Sequence, residues 1–196
     1  MKFTKLLSLL AIFTLTGCEI FSKTISYEKF HEKAEAAPAH SYTKATLKID
    51  SVDADSKTTT GTYHYTYTES TWVADEPEGN SYSSTVGVEA KTLPDIDRSE
   101  SVKKLNEDNP KAKFKQTLVY RADSNGFMAM SKVTGTGKGN MAGTEVTISK
   151  YLDYQEVKFN KYGLLTYLEA ESVMKLSASG STLDYSEKTK VTVSYS

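Results

Sequence analysis

At 196 residues the chain has the length of one ordinary domain, and 24 Lys+Arg against 25 Asp+Glu leave a formal charge of −1 at pH 7. That balance argues against a nucleic-acid binder, which carries a basic excess on one face. One Cys rules out an intramolecular disulfide, and three His without a second Cys argue against a Cys/His metal site, so neither a metal nor another resident cofactor is expected.

Met1-Lys2-Phe3-Thr4-Lys5 gives a basic start and Leu6 to Leu15 an apolar run. Ten residues of helix reach about 15 Å, half of a ~30 Å hydrocarbon core, so residues 1–17 read as an export signal rather than a membrane span. The run ends in Leu15-Thr16-Gly17-Cys18, a small residue before the only cysteine. This order resembles the lipobox of bacterial lipoproteins. The resemblance implies that Cys18 carries a covalent diacylglyceryl group, becomes the new N-terminus and anchors the protein at the extracytoplasmic side of the cell membrane or outer membrane. A free thiol in an exported protein is an oxidation hazard, which a thioether removes. Removing Lys2 and Lys5 leaves 22 basic against 25 acidic groups, a charge of −3, which predicts no basic patch beside the anchor.

Residues 18–25 form a tether of at most about 25 Å after Cys18. Ser26 is then an N-cap for a helix over Tyr27 to Ala37, with Glu28 in its first turn and Pro38 as its stop. Tyr27, Phe30, Ala34 and Ala37 make one narrow apolar stripe, suited to packing on protein rather than to lying in a membrane.

From Ser41 the apolar period changes to 2 and the composition to Thr, Ser, Tyr and Val, which predicts antiparallel strands. Strands are expected over Ser41–Ile49, Thr58–Val73 and Ser81–Ala90, followed by a polar excursion from Leu93 to Pro110 with a short helical turn through Ser99 to Leu105. Further strands are expected over Lys111–Arg121, Phe127–Thr134, Thr144–Leu152, Gln155–Phe159, Leu164–Leu176 and Thr182–Tyr195, with Gly135–Gly143 as a glycine-rich turn. Residues 26–196 are therefore expected to form one α+β domain, mostly antiparallel β. Eight or nine strands and one helix sharing an apolar layer suggest a strongly curved sheet or half-open barrel, with the N-terminal helix on its concave face.

The order of lipobox, tether, helix and long meander, with Asn160-Lys161-Tyr162-Gly163-Leu164 as a polar-Gly turn between two strands, resembles lipid-carrier lipoproteins of the LolA and LppX type. That resemblance implies a lipid as ligand.

Chemistry is scarce. Gly135-Thr136-Gly137-Lys138-Gly139 lacks the Gly-Lys-Ser/Thr end and following helix of a phosphate loop. His31, His40 and His64 have no paired spacing, there is no G-x-S-x-G elbow, and Glu169 and Glu171 read as one solvated strand face, so no catalytic residue is assigned and no enzyme is expected. Tyr63, Tyr65 and Tyr67 share a face. They form either the wall of an apolar cavity, with Leu118, Tyr120 and Met174 as further lining, or ordinary core under the helix. Two functions stay open: a monomeric, lipid-anchored protein binding an apolar or amphipathic ligand such as a lipid, or a non-catalytic surface module recognising a protein or glycan, as 46 Ser and Thr in 196 residues would suit. Cavity volume separates them.

Overall fold

The computed structural model describes residues 24–141 and 143–196, so residues 1–17, expected to be an export signal, and Cys18 lie outside the described residues. Helix α1 spans Tyr27–Glu35; Ser26 Oγ accepts from the Lys29 amide at 3.3 Å and satisfies one of its first-turn donors. The strands are β1 (Lys44–Val52), β2 (Thr58–Thr68), β3 (Thr71–Ala74), β4 (Lys111–Asp123), β5 (Gly126–Met141), β6 (Thr144–Asn160), β7 (Leu165–Ala178) and β8 (Ser181–Tyr195), with helix α2 over Ser99–Asp108 before β4. All eight strands form one antiparallel sheet in the order β3-β2-β1-β8-β7-β6-β5-β4. β3 and β4 are its two edges, so the sheet is not closed into a barrel.

Register explains which face is dry. Ile49 lies opposite Val191, Val191 opposite Leu168, Leu168 opposite Val157, Val157 opposite Ala129 and Ala129 opposite Tyr120, an apolar row across six strands. Side chains alternate along a strand, so this row fixes the covered face for the whole sheet. Phe30 of α1 is fully buried against it, 5.4 Å from the Tyr120 ring and 5.9 Å from that of Phe127.

Residues 75–110 connect the β3 edge to the β4 edge, seven strand spacings or roughly 34 Å away. They cross the covered face strand by strand. Gly79 O accepts from Tyr65, Gly87 N–H donates to Tyr195 Oη, Ala90 N–H donates to Gly163 O, and Ile96 N–H donates to Tyr120 Oη. On the way Val86, Ala90, Leu93, Ile96 and Val102 enter the core. The β4 edge is then closed: the Asn106 side chain bonds both the N–H and the C=O of Phe114, and Ile25 N–H donates to Tyr120 O.

Five segments differ from the sequence expectation. Thr58–Val73 breaks into β2 and β3 at Glu69-Ser70, both with positive φ (51° and 67°), a tight hairpin turn that sequence composition did not mark. Residues 81–90 form turns with one isolated bridge, Glu89 to Leu164, because they belong to the connection crossing the sheet and not to its ladder. Gly135–Gly139 is strand, not turn: the Phe114 ring lies over Gly135 so closely that a Cβ there would sit 2.2 Å from it. Residues 144–160 are one continuous strand, and helix α2 runs three residues beyond Leu105.

Candidate functional site

The residues expected to line a ligand cavity share the covered face but fall into three separate clusters. Tyr65 is 1% exposed and its hydroxyl donates to Gly79 O at 2.7 Å. Tyr63 packs on Tyr82 with ring centroids 5.0 Å apart. Leu118 and Tyr120 lie under α1, where the Tyr120 hydroxyl donates to Asp95 at 2.6 Å and accepts from Ile96. Met174 packs in a third cluster with Phe114, Val133 and Leu176 beneath α2. Burial, reinforced by the Asp95 carboxylate, holds the Tyr120 phenol far above its ordinary range, and burial first and Glu76 second push Tyr65 the same way.

Tyr67 belongs to an aromatic ring circuit near β3. Trp72 stacks on His40, His40 on Tyr42, Tyr42 on Tyr195, and Tyr195 returns to Trp72, at centroid distances of 6.0, 5.9, 5.6 and 5.4 Å. Tyr67 caps the circuit against His40 and Trp72. Burial pushes the Tyr195 phenol up to about 12.

The opposite face is charged. Near its centre two lysines are matched, Lys188 reaching Glu169 at 2.5 Å and Glu171 at 3.5 Å and Lys158 reaching Glu156 at 3.3 Å, while Lys190 lies over the Tyr167 ring. Tyr154 donates to Glu156 and Tyr167 to Glu169. The bond to Glu169, with burial behind it, pushes Tyr167 up to about 12, while Lys188 holds the Glu169 carboxyl below its usual value. These carboxylates are taken up by lysines and phenols of their own face.

Across β4, β5 and β6 the same face opens into a groove of about 530 Å³. Four exposed lysines line it: Lys113 and Lys115 from β4, Lys132 from β5 and Lys150 from β6, with Thr134 and Thr136 between them. Among the described residues no Asp or Glu lines it. One extra residue on β6 near Ser149 shifts its register against β5, between Gly135 and Gly137, and against β7, between Ile148 and Lys150, and this bulge falls at the groove. A bulge bends its strand and raises the local twist, which gives an open sheet face a concavity. The mature charge of −3 gave no sign of this cluster, because net charge sums over the whole chain whereas strand pairing brings residues 113, 115, 132 and 150 together.

Among the described residues no group of three His, Cys, Asp or Glu could hold a metal ion, and no helix is long and apolar enough to cross a membrane. His31 lies 3.7 Å from Glu35, His64 faces Thr46 at 3.3 Å, and His40 sits in the ring circuit, so the three histidines are separate. Comparison with protein-family models, curated proteins and solved structures gives no match. The groove had one signal in the sequence, the alternation Lys111, Lys113, Lys115 against Ala112, Phe114, Gln116; its other half needed the pairing of β5 and β6.

Proposed function

We propose that the protein is a lipid-anchored, extracytoplasmic bacterial lipoprotein whose sheet recognises a protein or glycan partner without catalysing a reaction. The observation that carries this reading is the division between faces: α1 and residues 75–110 pack on one face, with Phe30 at 0% and Tyr65 at 1% exposure, while the opposite face presents an open groove. A curved sheet with α1 in its concavity fits the same division. Anchoring rests on Lys2, Lys5, the apolar run and Leu15-Thr16-Gly17-Cys18. A second reading, an apolar ligand such as a lipid, has support in the half-buried rings of Tyr42, Tyr67, Trp72 and Tyr195. Two measurements test the proposal. Radiolabelled palmitate should enter the wild-type chain but not Cys18→Ser, and that variant should leave the membrane fraction or stall in processing. Native mass spectrometry of protein from its own host should show no bound lipid beyond the anchor; a stoichiometric co-purifying lipid would replace the partner-binding reading with the carrier reading.

A further inference from the structure

We infer that the groove formed by Lys113, Lys115, Lys132 and Lys150 binds a linear polyanionic glycan. This rests on the reading of the protein as a binding module and names the site and the chemistry of its partner. Successive outward residues of a strand lie about 6.8 Å apart and neighbouring strands about 4.8 Å, so the four ammonium groups share a patch three strands wide. Five other lysines on this face and at its margins have carboxylates: Lys158 has Glu156, Lys188 has Glu169, Lys175 has Asp184, and Lys111 and Lys138 share Glu145; Lys44, Lys48 and Lys190 form no ion pair among the described residues but stand apart from the groove rather than clustered. The four groove lysines have no ion pair among the described residues, and no carboxylate lines the groove. Their mutual repulsion is uncompensated in the protein alone, and an anion relieves it.

The geometry selects among anions. The groove is open and spans three strands, so a single small anion cannot meet all four lysines, whereas a chain with repeated charges can. Its concavity suits a chain more than a flat bilayer. The Thr134 and Thr136 hydroxyls and the Leu152 side chain offer hydrogen bonds and apolar contact of the kind a sugar ring uses. Lysine supplies strongly hydrated point charges without the planar fork that arginine brings to nucleic acids, and no arginine lines the groove.

The test uses the full chain carrying Cys18→Ser, so that no acyl group contributes, with polygalacturonate as probe and neutral dextran, polyglutamate and anionic phosphatidylglycerol vesicles as comparisons. Binding to polygalacturonate should fall roughly 50-fold between about 50 and 200 mM salt, as release of counterions from about four contacts requires. Lys115→Gln with Lys132→Gln should lower affinity at least about tenfold with an unchanged melting temperature. Lys44→Gln with Lys57→Gln, which removes equal charge from exposed positions elsewhere, should leave it within twofold. Equal loss in both double variants would reduce the effect to net charge and overturn the assignment. Tighter binding to polyglutamate or to vesicles would overturn the glycan in favour of an acidic protein or a membrane surface, and equal binding to dextran would overturn the role of charge. Failure of palmitate labelling at Cys18 would overturn the anchor and leave the groove result standing; normal glycan binding by the groove variant would do the reverse.

Discussion

Replacing Phe30 by Ala tests whether α1 is part of the core or an appendage of the sheet. The ring is fully buried, tilted on Tyr120 at 5.4 Å and edge-on to Phe127 at 5.9 Å, and packed with Ala34, Ala90 and Leu93. Truncating a buried Phe costs about 3–5 kcal/mol, and two lost aromatic pairs at ~0.5–1.5 kcal/mol each place this site in the upper half of that range. Against a typical stability of about 5–15 kcal/mol the loss is severe. For a chain of this size each kcal/mol moves the melting temperature by about 2–4 °C, so the variant should melt roughly 8–20 °C lower. Phe30→Leu keeps most of the volume but loses both aromatic pairs, so it should cost about 1–3 kcal/mol, less than the alanine. Thermal unfolding of the full chain followed by far-ultraviolet circular dichroism measures both. A shift under about 3 °C for Phe30→Ala would mean that the helix does not stabilise the sheet, and that residues 75–110 alone cover this face.

Two glycines should lose stability to a methyl group for different reasons. Gly135→Ala places a Cβ against the Phe114 ring and should cost about 1–3 kcal/mol, whereas Gly143, with φ +85° and nothing within 4 Å, should cost only the backbone penalty of about 1–2 kcal/mol in urea melts, with no change to the core. Alkaline pH should destabilise the fold through Tyr120 and Tyr195, whose raised pKa values keep protons on the native state that the unfolded chain releases near pH 10. Their contribution is complete below about pH 10 and is lost as pH rises through the folded values; Tyr120→Phe with Tyr195→Phe should flatten the decline between about pH 10 and 12, and an identical slope would refute the assignment.

The strand face was legible wherever alternation was strict. Ala112, Phe114, Gln116, Leu118 and Tyr120 share the covered side of β4, as their spacing requires, and the Ser26 cap with the Phe30 and Ala34 stripe places α1. Legibility failed where a long-range partner decided the local state. Gly135–Gly139 carries turn composition, yet the approach of Phe114 to Gly135 and of Asn109 to Gly139 makes glycine the residue that fits inside that strand. Residues 81–90 have strand composition, but they lie on a connection thrown across the sheet and bond to Tyr195, Gly163 and Leu165 instead of joining a ladder. The tyrosine stripe was correct as a face and uninformative as a site, since its three rings meet Tyr82, Gly79 and the Trp72 circuit in turn.

The groove lysines have a competing explanation that the topology itself separates. Charged residues on an edge strand discourage pairing with another chain, and Lys113 and Lys115 lie on β4, an edge. Outward lysines also pin register, because a slip of one residue would turn each ammonium onto the covered face. Edge protection, however, demands nothing of β5 or β6, which are paired on both sides, and their register is already set by Ala129, Val133, Ile148 and Val157 beneath. Lys132 and Lys150 therefore go beyond what folding requires of those strands. They sit beside the β6 bulge that hollows the face, where carboxylates of the kind found opposite Lys158 and Lys188 are missing from the lining. Charge retained on interior strands at a concavity is better explained by something that fills it than by the stability of the sheet.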